Sequence, residues 1–216
     1  MEKRPNSRQA VWFLSSMYLF GLIGIGLPLH RDIVLLTPFN LLVSLGLALY
    51  FHIPWTIRSV SFFLLCYVLG FGAELFGVQT GLLFGEYQYG QVLGPKIWGT
   101  PLLIGANWML LSYGGGCLSN LLWPGRSWIW RGVAAAALLV GLDLLIEPVA
   151  MTHGFWSWTG DTVPLRNYLG WFAVALPLQL YFAYFQGNIA NKVAIALFFM
   201  QFAFFLLLGL RIWIAA

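Results

Sequence analysis

Charge is what this sequence has least of. Of its 216 residues only 8% are Asp, Glu, Lys or Arg, and seven are acidic. A soluble domain carries about a quarter charged residues. With 60% of the chain apolar and a mean hydropathy of +0.81, a water-soluble fold is excluded. Cysteine is scarce too. Cys66 and Cys117 fall inside predicted helices without metal-ligand spacing, and read as small packing residues. Of the three histidines, His30 and His52 fall in short loops on opposite membrane faces. His153 stands alone near two acids, so no metal set is expected. No repeat relates the two halves, against an inverted-repeat transporter. The last apolar run has Lys192 at its start and Arg211 near its end. It has no mid-membrane lysine for a retinal Schiff base.

Long apolar runs are what the chain has instead. Seven are long enough to span a bilayer, at roughly 9–27, 32–51, 57–77, 100–120, 128–147, 168–186 and 191–214. The predicted fold is all-α: a polytopic membrane helix bundle of about seven transmembrane helices, with residues 1–216 as a single integral membrane domain. The basic start before the first run is kept with the first helix, because that run is too long for a signal peptide. Lys3, Arg4, Arg8, Arg58, Arg126, Arg131 and Lys192 fall on the N-terminal side; Arg31, Lys96, Arg166 and Arg211 fall on the other. That bias predicts a cytoplasmic N-terminus. The charge of +4 is scattered over loops and termini, and nucleic acid is not an expected partner.

Three of the seven acids lie in or at the edge of the apolar runs. Asp143 and Glu147 sit four apart in Gly141-Leu-Asp143-Leu-Leu-Ile-Glu147-Pro148, and Glu74 lies in Gly70-Phe-Gly-Ala-Glu74. Spacing of four places Asp143 and Glu147 on one helical face. Pro148 is expected to end helix five at Glu147, with Asp143 roughly 6 Å deeper at 1.5 Å rise per residue. Helices three and five run in the same direction, so all three acids reach one leaflet. Asn107 enters helix four from that face, and Asn167 and Tyr168 begin helix six there. Like charge, burial and a helix C-terminus all disfavour two anions, so at least one neutral acid is expected. Such an acid beside an apolar cavity is a proton donor. The alternative is that the acids only bond Tyr, Trp and Asn side chains and hold the bundle together. Intramembrane carboxylates are costly enough that a functional reading is favoured.

Two connections are long. The 78–99 segment is rich in glycine and aromatics, and is expected to be re-entrant or interfacial. Tyr87 and Tyr89, beside Glu86, read either as site residues or as interface-belt aromatics, whereas Trp98 reads as a belt residue. The 148–167 segment carries His153, Trp156, Trp158, Asp161 and Arg166. Gly21-Leu-Ile-Gly-Ile-Gly26 and Gly114-Gly-Gly116 allow close helix packing, or space for a long ligand.

From Gly70 through Glu74, Gly77, Thr80-Gly81, Phe84-Gly85, Tyr87, Tyr89-Gly90, Leu93-Gly94, Lys96, Gly99-Thr100-Pro101-Leu102 and Asn107-Trp108, the chain resembles the carotenoid biosynthesis membrane-protein family. The order and spacing of Asp143, Glu147-Pro148, Phe155-Trp156, Trp158, Pro164, Asn167-Tyr168 and Trp171 extend the resemblance. That family includes carotenoid 1,2-hydratases and bisanhydrobacterioruberin hydratases. The resemblance implies a long polyene substrate, addition of water to a terminal C=C bond, and the company of membrane lipid and other carotenoid enzymes. The expected location is a bacterial cell membrane. Hydration is redox-neutral, so no cofactor and no metal is expected. In this reading Asp143 is the general acid, Glu74 its partner and water-orienting base, and those two roles are interchangeable. Glu147 tunes them, and Asn107, Tyr87, Tyr89, Trp156, Asn167 and Tyr168 orient substrate or water. End-group cyclisation, non-enzymatic carotenoid binding or transport, and proton-coupled transport are the competing functions.

Overall fold

The computed structural model describes residues 6–27 and 30–215. Lys3 and Arg4, which contribute to the topological bias, lie outside the described residues. Seven α-helices occur among the described residues, several of them bounded by local capping chemistry. α1 (Ser7–Gly26) starts at a reciprocal cap between Asn6 and Gln9. A 3₁₀ segment, Arg31–Leu36, leads into α2 (Thr37–Tyr50). α3 (Ile57–Thr80) is capped by the Thr56 hydroxyl and stops at Gly81, whose φ of 66° ends the helix. α4 spans Leu103–Leu122, α5 Trp128–Thr152, α6 Leu165–Phe185 and α7 Lys192–Ala215. The Asn191 side chain accepts from the Val193 and Ala194 backbone N–H groups at the start of α7.

Six of these helices are long and apolar enough to cross a membrane, α2 together with most of its 3₁₀ lead-in. Large apolar side chains such as Phe13, Phe20, Leu64, Val68, Leu144 and Phe199 stand exposed on the outside. Water would not tolerate that surface and lipid does, so the chain is an integral membrane protein. The exception is α4, which falls short of the hydropathy of a lipid-facing span. It touches α2, α3, α5, α6 and α7, and fifteen of its twenty residues are buried. A helix enclosed by protein has no need of an apolar exterior, so it tolerates Asn107, Ser112, Ser119 and Asn120. Its three successive glycines each meet a different neighbour. A Cβ would strike Phe198 of α7 from Gly114, Leu139 of α5 from Gly115, and Phe182 of α6 from Gly116. This triplet serves close packing, not ligand space.

Helix five does not end at Glu147. It continues through Pro148 to Thr152, so Glu147 is interior and just as buried as Asp143. The extra turn is held from beyond the helix: the His153 and Phe155 N–H groups donate to the Val149 and Ala150 carbonyls. Proline inside a span is tolerated when neighbouring groups take up the freed backbone.

Between the helix ends, at 81–102 and 153–164, the two long connections are not helical. Strands β1 (Tyr87–Tyr89) and β4 (Trp156–Trp158) pair antiparallel, Tyr87 opposite Trp158 and Tyr89 opposite Trp156. β2 (Lys96–Ile97) and β3 (Thr100–Pro101) form a second short pair, so α4 begins three residues later than its apolar run. The β1–β4 ribbon closes one end of the bundle over α3, α5 and α6. Its end is fixed at Gly90, whose N–H donates to the Phe155 carbonyl at 2.8 Å. A Cβ there would overlap the Gly154 carbonyl oxygen.

Gly90→Ala is expected to lower stability by about 1–3 kcal/mol, because backbone rather than a flexible side chain must move. Gly141→Ala, on α5 where a Cβ meets nothing within 4 Å, is expected to raise it by roughly 0.5–1 kcal/mol. Thermal unfolding in matched detergent checks both; equal shifts of the two variants would contradict the ribbon anchor.

Candidate active site

The strand period of two aims the ribbon's side chains. Gln88 and Ser157 face outward and are exposed, while Tyr87, Tyr89, Trp156 and Trp158 face the helices. Their four polar hydrogens reach two of the acids. Tyr87 and Tyr89 donate their hydroxyls to Glu74 Oε2 at 2.6 and 2.8 Å. Trp156 and Trp158 donate their indole N–H groups to Glu147 Oε2, both at 2.9 Å. Trp108 on α4 donates to Glu74 Oε1 at 3.1 Å. Asn167, in the first turn of α6, bridges the α5 pair: its Nδ2 donates to Asp143 Oδ2 at 2.8 Å and to Glu147 Oε1 at 3.2 Å.

Glu74, Asp143 and Glu147 are each no more than 3% exposed. Among the described residues no Lys or Arg pairs with any of them. Neutral donors alone must satisfy them, and the supply is unequal. Glu74 accepts three side-chain bonds and Glu147 accepts three. Asp143 accepts one, and its Oδ1 is buried with no partner among the described residues. Burial and the adjacent Glu74 hold the Tyr89 hydroxyl well above the usual phenol range, so Tyr89 stays a donor.

Asp143 lines a cavity of about 30 Å³, comparable to one water molecule. Glu74, Tyr87, Tyr89, Asn107, Glu147, Trp156 and Asn167 line it with Asp143. Eight of the nine residues proposed from the sequence thus meet at one void. Tyr168, half-buried one position further along α6, is not part of that lining but lies within electrostatic reach of Glu147 and Asp143. Asn107 makes no side-chain hydrogen bond among the described residues and faces both this void and an apolar one beside it. Lys96, placed by the sequence on this side of the membrane, donates to the Tyr89 carbonyl at 2.6 Å and braces the ribbon. His52 is buried on the other side against the Tyr113 hydroxyl. Trp98 is exposed, with φ of 46°.

Trp108, Trp158 and Trp171 were not anticipated as site residues. Trp171 lines the cavity and stacks on Trp108 at 4.3 Å between centroids. The signal for Trp158 was present: Tyr-Gln-Tyr and Trp-Ser-Trp share the alternation of a strand with one aromatic face. Trp108 and Trp171 carried no comparable local signal.

The fold and site define an integral membrane protein with a cluster of buried acids at one end of a helix bundle, beside apolar space. The chain belongs to the carotenoid biosynthesis protein family, whose pattern it matches over residues 35–216. It is also 32% identical over 114 residues to a bisanhydrobacterioruberin hydratase of Haloarcula japonica. That alignment covers 47% of this chain and 36% of the relative. No solved structure matches. The protein's role is therefore in carotenoid biosynthesis.

Tyr89→Phe removes one donor from a buried carboxylate, and is expected to cost about 1–3 kcal/mol. In the Glu74→Gln background the same change should cost markedly less. A double-mutant cycle on unfolding midpoints checks this; strict additivity would mean that the Tyr89 hydroxyl and Glu74 do not interact.

Proposed function

We propose that the protein is a carotenoid hydratase, adding water across a terminal C=C bond of an acyclic end group. The observation that carries this reading is the unequal supply of donors. Two carboxylates are held by three donors each, as anions require. The third has an oxygen with no partner among the described residues, on a side chain that lines a small void. A carboxylic acid in that position has its O–H free to donate into the void. Asp143 is thus the general acid, and Glu74 and Glu147 are the anions that stabilise positive charge beside it.

In the proposed reaction the Asp143 proton goes to the less substituted carbon of the terminal double bond. The π electrons form the new C–H bond, and the tertiary carbon is left cationic. Trp156 and Trp171 line the cavity, and an aromatic ring is worth up to about 2 kcal/mol towards a desolvated cation over its face. A water oriented by the unpartnered Asn107 amide adds through oxygen to the cation and loses one proton to Glu74. Return of that proton to Asp143 after product release restores the starting state. The balance is alkene plus water to tertiary alcohol, and nothing is oxidised or reduced. The 32% identity to a hydratase supports this choice of chemistry.

Water has a source nearby. Outside the ribbon lies an open polar vestibule of about 440 Å³, lined in part by Gln79, Glu86, Gln88 and Thr159. It shares Tyr87 and Trp158 with the acid cavity, so one layer of side chains separates bulk water from the site. A cyclase would need the same acid but would have to keep water from the cation, and this placement favours hydration. By the positive-inside bias the N-terminus is cytoplasmic and the vestibule faces the outer side.

In cells making lycopene, the unsubstituted protein is expected to yield pigment heavier by the mass of one water, or of two where both ends react. A new pigment of unchanged mass would mean cyclisation instead. Asp143→Asn and Glu74→Gln are each expected to lower conversion by about 10²–10⁴-fold at matched expression. Arg126→Gln, exposed in the α4–α5 turn, should leave conversion intact. Conversion by both amide variants at the unsubstituted rate would make the acids purely structural. Reporter fusions at the two termini check orientation: a cytoplasmic N-terminus with an external C-terminus is expected, and the reverse would place the vestibule inside the cell.

A further inference from the structure

The acid cavity is too small for a polyene, yet the substrate class is a rod several nanometres long and soluble only in lipid. Its route to Asp143 is not assigned by the family or by the acids. Three voids mark one. The largest is a groove of about 450 Å³ between α1, the α2 lead-in and α7, with almost wholly apolar walls. Such a volume is within the usual range for ligand sites, roughly 300–1,000 Å³. Phe13, Phe20 and Phe39 on its rim are more than half exposed, so it opens sideways into the hydrocarbon. A second void of about 60 Å³ follows. It shares Thr37, Leu41, Gln201 and Phe205 with the groove. The same void shares Ile104, Asn107, Ile146 and Trp156 with the acid cavity. Groove, neck and acid cavity therefore stand wall to wall, in that order.

We infer that this series is the substrate channel: the end of a linear polyene enters from the bilayer between α1, α2 and α7, passes the Leu41–Phe205 neck, and stops at Asn107 against the acid cavity. The commitment to a polyene rests on three features together. The groove opens to lipid and not to water, which selects a hydrocarbon. The neck holds only about 60 Å³ between mostly apolar side chains, which suits a slender acyclic end group over a bulkier cyclised one. The series terminates at the cluster whose Asp143 keeps an oxygen without a partner among the described residues, which selects a reactive terminus over a structural lipid. Water and substrate then arrive by separate doors, water through the ribbon and polyene through the neck. An open face shared by both would let solvent reach the cation in excess.

This inference rests on the carotenoid reading but not on hydration, and its test reads binding rather than product. The protein and its variants are produced in a lycopene-making host and purified in detergent. Lycopene retained per mole of folded, monodisperse protein is then measured by its visible absorption. Leu41→Trp and Phe205→Trp place extra bulk in the neck from opposite walls, so the result does not hang on either variant folding. Each is expected to retain at least about tenfold less lycopene, equivalent to about 1.4 kcal/mol of binding. Ala137→Trp, on the lipid face of α5 away from the channel, should retain as much as the parent. Asp143→Asn should retain lycopene while making no hydrated product, which separates threading from chemistry. Parent-level retention by both neck variants would overturn the channel, whatever the reaction. Full conversion by Asp143→Asn would overturn the hydration chemistry, and loss of pigment from the neck variants would still support the channel.

Discussion

The arrangement of this molecule follows from three buried carboxylates with no cation beside them. In hydrocarbon or protein interior a carboxylate must be hydrogen-bonded or neutral, because an isolated anion there is too costly. Lysine or arginine would satisfy it, but neither pairs with these acids among the described residues. The donors are instead tyrosine and tryptophan, whose bodies are apolar and whose single polar hydrogens reach inward. Such donors solve both problems of the setting at once, since they pack against lipid-level neighbours and still complete the acceptors. Five aromatic donors serve Glu74 and Glu147. The shortfall at Asp143 is what distinguishes a reactive group from a structural one in an otherwise well-satisfied cluster.

That demand explains the elements around the cluster. The β1–β4 ribbon exists where helices alone could not bring four inward donors to two helices at once. Its twofold side-chain period puts Tyr87, Tyr89, Trp156 and Trp158 on one face. Asn167 sits in the first turn of α6, where one amide nitrogen with two hydrogens meets two oxygens. α4 is sheathed by its neighbours, so it can carry Trp108 and Asn107 inward without an apolar exterior. The result is a polar layer at one end of the bundle, with solvent beyond the ribbon and apolar space on the side of α2 and α7.

Much of this was legible beforehand, and the exceptions have physical causes. Seven helices followed from run length, and the common depth of Glu74, Asp143, Asn107 and Asn167 followed from helix direction and rise. The end of α5 was misplaced because proline usually stops a helix. Here the residues just after it, His153 and Phe155, take up the carbonyls of Val149 and Ala150, so the helix runs one turn further. Tyr168 stands next to Asn167 but outside the cavity lining, because neighbours on a helix point about 100° apart, and it stays within electrostatic reach of Asp143 and Glu147. Lys96 contributed to the charge bias on the site's side of the membrane, and its bond to the Tyr89 carbonyl is a contact that the bias did not foresee.

By itself the sequence determined a lipid-embedded, all-helical chain with three acids at one depth, because hydropathy, run length and spacing are local properties with one dominant reading in a bilayer. Only the tertiary structure decided which acid is left unsatisfied. The donors to Glu74 come from α4 and from a strand beyond α3; those to Glu147 come from the opposite strand and from α6. Whether Tyr87 meets Trp158, and whether the indoles of Trp156 and Trp158 reach Glu147, depends on register between segments far apart in the chain. Neither the count nor the type of residues sets that register. It is set by how closely the glycine-lined surfaces approach, as at Gly90 beneath the Gly154 carbonyl.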